Sequence, residues 1–253
     1  MVEIYRQKIQ IMTSIKADIL AIGVHPDDVE LSACGIMLQQ IALGRIGGIL
    51  DLTHGELGTR GSAEIRAAEA KAAANLMGVS FRENAGLADG FFENNPASVM
   101  AIIPFIREYK PEIVLVNAPH DRHPDHGRAA KLSTDACFYS GLSKIETVWK
   151  GKVQKPWRPR AVYHYIQDEQ LKPDFVVDIT PFIEKKMEIL RAFKSQFYDP
   201  NSKEPVTPIA QKDFMDFMYA KNKIFARSIP GAEYAEGFIC HRIPGVKDIF
   251  DLV

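Results

Sequence analysis

The sequence predicts an α/β chain built on an open, mainly parallel sheet covered by helices. Three observations point there. Short apolar runs alternate with helical repeats through the first 140 residues. The runs are continuously apolar, as in strands buried on both faces. Two histidine- and aspartate-rich motifs follow directly on two of the runs, where open parallel sheets place their ligands.

Ala17–Val24 (ADILAIGV) is an apolar run bounded by polar residues and predicts the first strand. Leu31, Cys34, Leu38 and Ile41 share one side of a helix over Leu31–Ala42, closed by Gly44. Gly47–Thr53 is a second strand, and Ala63–Met77 is a helix ending at Gly78. A strand near Val79–Asn84, a helix over Ala97–Tyr109 and the run Ile113–Val116 (IVLV) continue the alternation. Pro124 opens a helix reaching Tyr139, since proline suits a first helical position. Beyond a proline-marked loop, Ala161–Ile166 and Phe175–Ile179 read as strands. Thr180 as N-cap with Pro181 after it opens a helix to Phe197. Asp199–Pro208 is a loop and Lys212–Arg227 a last helix. Residues 1–16 read as an N-terminal extension, with Met12 as an alternative start, and 17–253 as one domain.

Composition excludes several classes. At 253 residues, 46% hydrophobic and 25% charged, the chain can bury a full core without disulfides or metal, so a metal site is free to be catalytic. Lys and Arg number 31 against 32 Asp and Glu, so no basic excess suggests nucleic acid. No apolar run approaches the roughly 20 residues of a membrane span, and the N-terminus lacks the apolar core of a leader. A cytoplasmic homo-oligomer acting on a small molecule, with neither nucleic acid nor membrane as partner, is expected. Cys34, Cys137 and Cys240 lack paired zinc-type spacing and read as reduced core residues.

Chemistry concentrates where strands end. The first strand runs into His25-Pro26-Asp27-Asp28, and IVLV leads through Asn117 to His123-Pro124-Asp125-His126. The predicted sheet brings both motifs to one edge. His25 and Asp28 sit three apart at a strand-to-helix turn and can reach one ion. His126 completes a set of two histidines and one carboxylate, which suits zinc with an open position for water; ferrous iron accepts a similar set. Asp27 then points toward the water as general base. His123 is either a further ligand or a group that polarises a carbonyl, and Asp125 is near enough in sequence to orient its ring as an imidazolium. A third polar segment, Thr53–Gly61 (THGELGTRG), is a glycine-rich loop on the same edge, where Arg60 can clamp an anionic or hydroxyl-rich group. Arg122 competes for that role. His54 and Arg66 read as hydrogen-bonded framework. A non-catalytic metal-dependent sugar-binding protein and a metal-free nucleotide binder are the rivals; the second lacks G-x-G-x-x-G after the first strand.

Together V-H-P-D-D, T-H-G-E-L-G-T-R-G and H-P-D-H-G resemble the LmbE-like deacetylases, the family that includes PIG-L. The resemblance runs from about Asp18 to Phe238. It implies a Rossmann-like three-layer sandwich with its active site at the C-terminal ends of the strands. It further implies His25, Asp28 and His126 as zinc ligands, Asp27 as base, His123 as carbonyl- and intermediate-stabilising histidine with Asp125 its partner, and Arg60 as substrate-binding. The expected activity is zinc-dependent removal of an acetyl group from an N-acetylglucosamine conjugate. Within the family, Asp121-Arg122, Lys194–Phe197 and Tyr234–Phe238 are similar to the branch that deacetylates N-acetylglucosaminyl-malate in bacillithiol biosynthesis. Asp121 stands where the mycothiol-pathway enzymes carry a tyrosine. Deacetylases of chitooligosaccharides and other acetylamino sugars share the same core.

Overall fold

Residue burial in the computed structural model, which describes residues 15–251, follows the apolar runs. Strand β1 (Ile19–Gly23) is buried throughout. Its side chains alternate, Ile19 and Ala21 packing into one core and Leu20 and Ile22 into a second on the opposite face. Parallel partners flank it: β2 (Gly47–Asp51) and β4 (Ile113–Val116). β3 (Phe81–Asn84) extends the sheet beyond β2, and Gly48 is glycine because a Cβ there would lie 2.0 Å from the Phe81 ring.

Helices cover both faces, giving the three layers expected. α1 (Asp28–Ser32), α2 (Cys34–Ala42) and α3 (Ala63–Met77) follow β1 and β2, and α4 (Pro96–Tyr109) and α5 (Pro124–Tyr139) flank β4 in sequence. Ser62 caps α3 by accepting from Ile65 N–H, and Gly78 closes it in the left-handed conformation. A small hairpin, β5 (Val148–Trp149) and β6 (Lys152–Val153), precedes β7 (Ala161–Tyr165). Then come β8 (Phe175–Asp178), α6 (Ile183–Leu190), α7 (Phe214–Ala226) and β9 (Ala235–Cys240). The seven-stranded order is β3-β2-β1-β4-β7-β9-β8, parallel up to β7 and antiparallel across β9.

Four expectations change. The helix expected over Leu31–Ala42 is divided at Ala33 into α1 and α2. The helix expected over 180–197 begins as a 3-10 turn and is regular only over Ile183–Leu190, because the Thr180 hydroxyl accepts from Glu233 and Tyr234 N–H instead of capping it. Strand β9 is new: its Glu236 is buried, paired with Lys186 at 2.8 Å, and accepts from Gly35 and Ile36 N–H at the start of α2. Cys240, expected in the core, is half-buried, whereas Cys34 and Cys137 are buried. Of the expected extension, residues 1–14 lie outside the described residues; Ala17 already donates to Tyr109 O.

Candidate active site

β1 ends at Gly23, and the chain turns through His25 and Pro26 to Asp27, whose φ of 137° is left-handed, a costly conformation for a residue with a side chain. Asp28 holds the turn: its Oδ2 accepts from Val24 N–H at 2.9 Å and His25 N–H at 3.0 Å. Asn117, just after β4, donates to the same oxygen, and Gln167, just after β7, donates to Oδ1 at 3.1 Å. Three strand ends thus converge on one buried carboxylate.

The second motif lies at the start of α5. His123 caps the helix, its Nδ1 accepting from Asp125 N–H at 3.3 Å. His126, one turn on, brings Nε2 to 3.2 Å from Asp28 Oδ1, while its Nδ1 lies 2.5 Å from Asp121 Oδ2. On the other side, His25 sets Nδ1 3.8 Å from Asp28 Oδ2. Its Nε2 lies 3.0 Å from Asp89 Oδ1 and 3.6 Å from Asp125 Oδ2. Asp28 therefore stands between two imidazoles, each held from behind by a carboxylate, the arrangement that orients histidine ligands toward a metal. One ring nitrogen each of His25, His123 and His126 also lie within 4.8 Å of one another.

The charges favour a cation. Burial opposes protonation of His25, but Asp125, Asp89 and Asp28 outweigh it and raise its pKa to about 10. For His126, burial is again outweighed, by Asp28 and Asp121, and the pKa rises to about 9. Burial works to raise Asp28, yet His126 and His25 hold it well below the usual carboxylate range. Two protons thus sit where one divalent ion would stand. Imidazole and carboxylate donors suit such an ion, so His25, Asp28 and His126 fit as its holders. Asp27 differs. Burial pushes it up to about 7, Arg66 pulling against that and Asp28 adding to it. Arg66 Nη2 lies 3.2 Å from Asp27 Oδ2 and donates also to Pro26 O.

A cavity of about 380 Å³ opens on this cluster, lined by His25, Asp27, Asp28, His123 and His126. Ile209, Phe214, Phe217, Met218 and Lys221 also line it.

This geometry can be set beside known proteins. Residues 20–137, from β1 into α5, match the PIG-L family model, described as GlcNAc-PI de-N-acetylase. Over this stretch the chain is similar to the PIG-L family. It is similar to the diacetylchitobiose deacetylase of Thermococcus kodakarensis, at 28% identity over 71% of this chain and 70% of that protein. Among solved structures, the conserved protein TT1542 of Thermus thermophilus superposes with a TM-score of 0.80 at 29% identity, covering 91% of this chain and 97% of that one. N,N'-diacetylchitobiose deacetylase from Pyrococcus horikoshii shares the fold, with a TM-score of 0.74 at 23% identity over 88% and 83% of the two chains.

The PIG-L motifs lie together, but two residues read from them act elsewhere. Arg60 is buried away from the cavity. Its guanidinium donates to Ser195 O, Pro205 O and the Ser202 hydroxyl, which leaves no fork for a ligand. Arg122 does line the cavity, paired with Asp168 at 2.8 Å. Asp125 does not orient the His123 ring. Its carboxylate accepts from Gly90 N–H and Arg128 and faces His25, because the start of α5 points it behind the first motif. Burial and the charges on His25 and His126 lower the His123 pKa, and with Nδ1 accepting, Nε2–H is the free donor of a neutral ring, not an imidazolium.

The loop glycines also serve a different purpose. A Cβ on Gly55 or Gly58 would lie 2.0 or 2.9 Å from Arg66 Nη1, so the loop packs on the arginine that holds Asp27. Asp89, Gln167 and Lys221 were missed, and Asp121 and Asn117 were named without a role at the site. Asp121 and Asn117 adjoin a motif and carried a signal, Asn117 as the residue following IVLV; Gln167 and Lys221 stand alone in sequence.

Proposed function

We propose that this chain is a metal-dependent N-deacetylase of an N-acetylglucosamine conjugate. One observation carries the reading: Asp27, strained in its backbone and fixed by Arg66, faces the cavity directly beside the His25–Asp28–His126 set. A binding protein needs no such base. Similarity to PIG-L and to a diacetylchitobiose deacetylase supports the substrate class.

Zinc is the proposed ion, with ferrous iron the alternative; when bound, it polarises the acetyl carbonyl and acidifies a water. Asp27, near neutrality in its pKa, takes the proton of the water that attacks the carbonyl carbon. His123 Nε2–H donates to the oxygen as charge develops there, a contact commonly worth about 3–4 kcal/mol. The C–N bond breaks, Asp27 returns its proton to the amine, and acetate and the free amino sugar leave. Asp125 acts behind His25, and Arg122 stands where an aglycone leaves the cavity.

The finer proposal is the malate conjugate of bacillithiol biosynthesis, in a cytoplasmic homo-oligomer formed by one domain over 17–253. A chitooligosaccharide is the second reading, favoured by the likeness to the Thermococcus enzyme. Acetate release from a panel of N-acetylglucosamine conjugates, malate and chitobiose included, with and without added zinc, tests both. Zinc-dependent release from any of them is expected. No release from any would remove the deacetylase reading.

A further inference from the structure

Two lysines lie inside the second half of the fold, and they differ in one respect. Lys186 is wholly buried and neutralised by Glu236 at 2.8 Å. Lys221, on α7, is half-buried and lines the catalytic cavity. It donates to Gln167 O at 2.8 Å and Ile166 O at 3.4 Å. Those carbonyls accept hydrogen bonds but carry no formal charge. Among the described residues no carboxylate comes within 4.0 Å of its ammonium. Burial, with Lys186 next, holds its pKa down to about 7, against the more distant carboxylates of Glu236, Asp121 and Asp168. A partly desolvated ammonium whose carboxylates all lie beyond ion-pair distance is costly, and an anion supplied by a ligand at closer range relieves that cost.

The surroundings narrow the ligand. Met218 and Phe217 precede Lys221 by three and four positions on α7, so all three share the helix face that lines the cavity. Arg122 and Asp168 line the same cavity. A group seated there meets two cations and an apolar surface, with Asp168 already paired to Arg122.

We infer that Lys221 is a specificity-determining residue, which binds an anionic group, carboxylate or phosphate, on the aglycone of the substrate. The inference rests on the deacetylase reading and gives it a substrate class. A lysine suits either anion, as a point charge without the fork geometry of an arginine. Arg122 is the second cation and can exchange Asp168 for the same group.

The test compares three N-acetylglucosamine conjugates, with a carboxylate, a phosphate or a neutral methyl aglycone, on the metal-loaded wild type and on Lys221→Gln and Lys221→Arg. Glutamine retains a donor for the Ile166 and Gln167 carbonyls without the charge. In Lys221→Gln the ratio of kcat/KM for anionic over neutral conjugate should drop at least about tenfold, mainly through KM, since a hydrogen bond to a charged group is worth that much. Lys221→Arg should restore part of the ratio. Whichever anionic conjugate shows the larger drop identifies the source of the anion. Equal losses on all three conjugates, or no loss on any, would overturn the inference and leave Lys221 as a prop for the Gln167 segment. If the wild type cleaves none of the three, the deacetylase reading falls by itself. Calorimetric titration of the carboxylate and phosphate conjugates into wild type and Lys221→Gln then still decides the lysine: indistinguishable affinities would overturn its role.

Discussion

His25 and Asp28 reach the cavity from the turn after β1 and His126 from the first turn of α5, whereas Phe214, Phe217 and Lys221 form a second wall from one helix far along the chain. The first wall is a closed polar network, in which Asp28 receives donors from Val24, His25, Asn117 and Gln167, and both flanking imidazoles are held by carboxylates. The second wall is apolar apart from Lys221 and rests on packing, with Arg60 pinning the 195–205 segment that leads into it. A network in which every member fixes the next tolerates no change, as suits chemistry that needs tight geometry. A packed wall can vary side chain by side chain, as suits substrate choice.

The largest effect should come from breaking the first wall. His126→Ala should lose the metal and bring turnover to background while circular dichroism and cooperative unfolding persist, because the core does not depend on the ion. Collapse of the fold in that variant would make the ion structural and erase the contrast between the walls. Next in size, Asp27→Asn should retain the metal and lower kcat roughly 10²–10⁴-fold. Loss of metal together with activity would instead make Asp27 a ligand.

Smaller effects should come from the groups behind the ligands. Asp121→Asn should weaken metal binding roughly 10–100-fold, read by competition with a chelator. In the metal-free chain His25 and His126 hold protons up to about pH 10 and 9, so metal must displace them and its apparent affinity should climb as pH rises through neutrality. Both shifts are upward from 6.5. Their contribution to metal-free stability is therefore full below pH 6.5 and lost as pH rises toward 10. A metal affinity independent of pH between 6 and 9, measured with buffers at fixed ionic strength, would contradict this. The smallest effect belongs to the second wall. Arg60→Ala should cost about 1–3 kcal/mol of stability through orphaned acceptors, and alter kcat/KM for charged and neutral substrates alike. Selective loss on anionic substrates would return Arg60 to the substrate site.

Much of the first wall was legible because its residues occur in short runs whose spacing is fixed by a single turn. H-P-D-D and H-P-D-H need only a strand end and a helix start to present their side chains, and both were visible in the hydrophobic pattern. Where reading failed, the cause was direction. Asp125 is near His123 in sequence, yet the first turn of α5 aims its carboxylate at His25. Arg60 sits on the expected loop, yet the loop turns it outward to Ser195 and Pro205 while Arg66, from the next helix, turns in toward Asp27.

By itself the sequence determined the alternating fold and the edge of the sheet where the two histidine- and aspartate-rich motifs meet, because hydrophobic period and motif spacing are local properties. Only the tertiary structure decided the antiparallel β9, where a buried Glu236 needs Lys186 from α6 and the α2 N–H groups to be tolerable. The same holds for Gln167 beside Asp28, Asp89 behind His25, and Lys221 lining the cavity with no carboxylate within 4.0 Å among the described residues. Each of these meets its partners across a long stretch of chain or through the absence of one, and a side chain's partners in space leave no periodic trace in the residues around it.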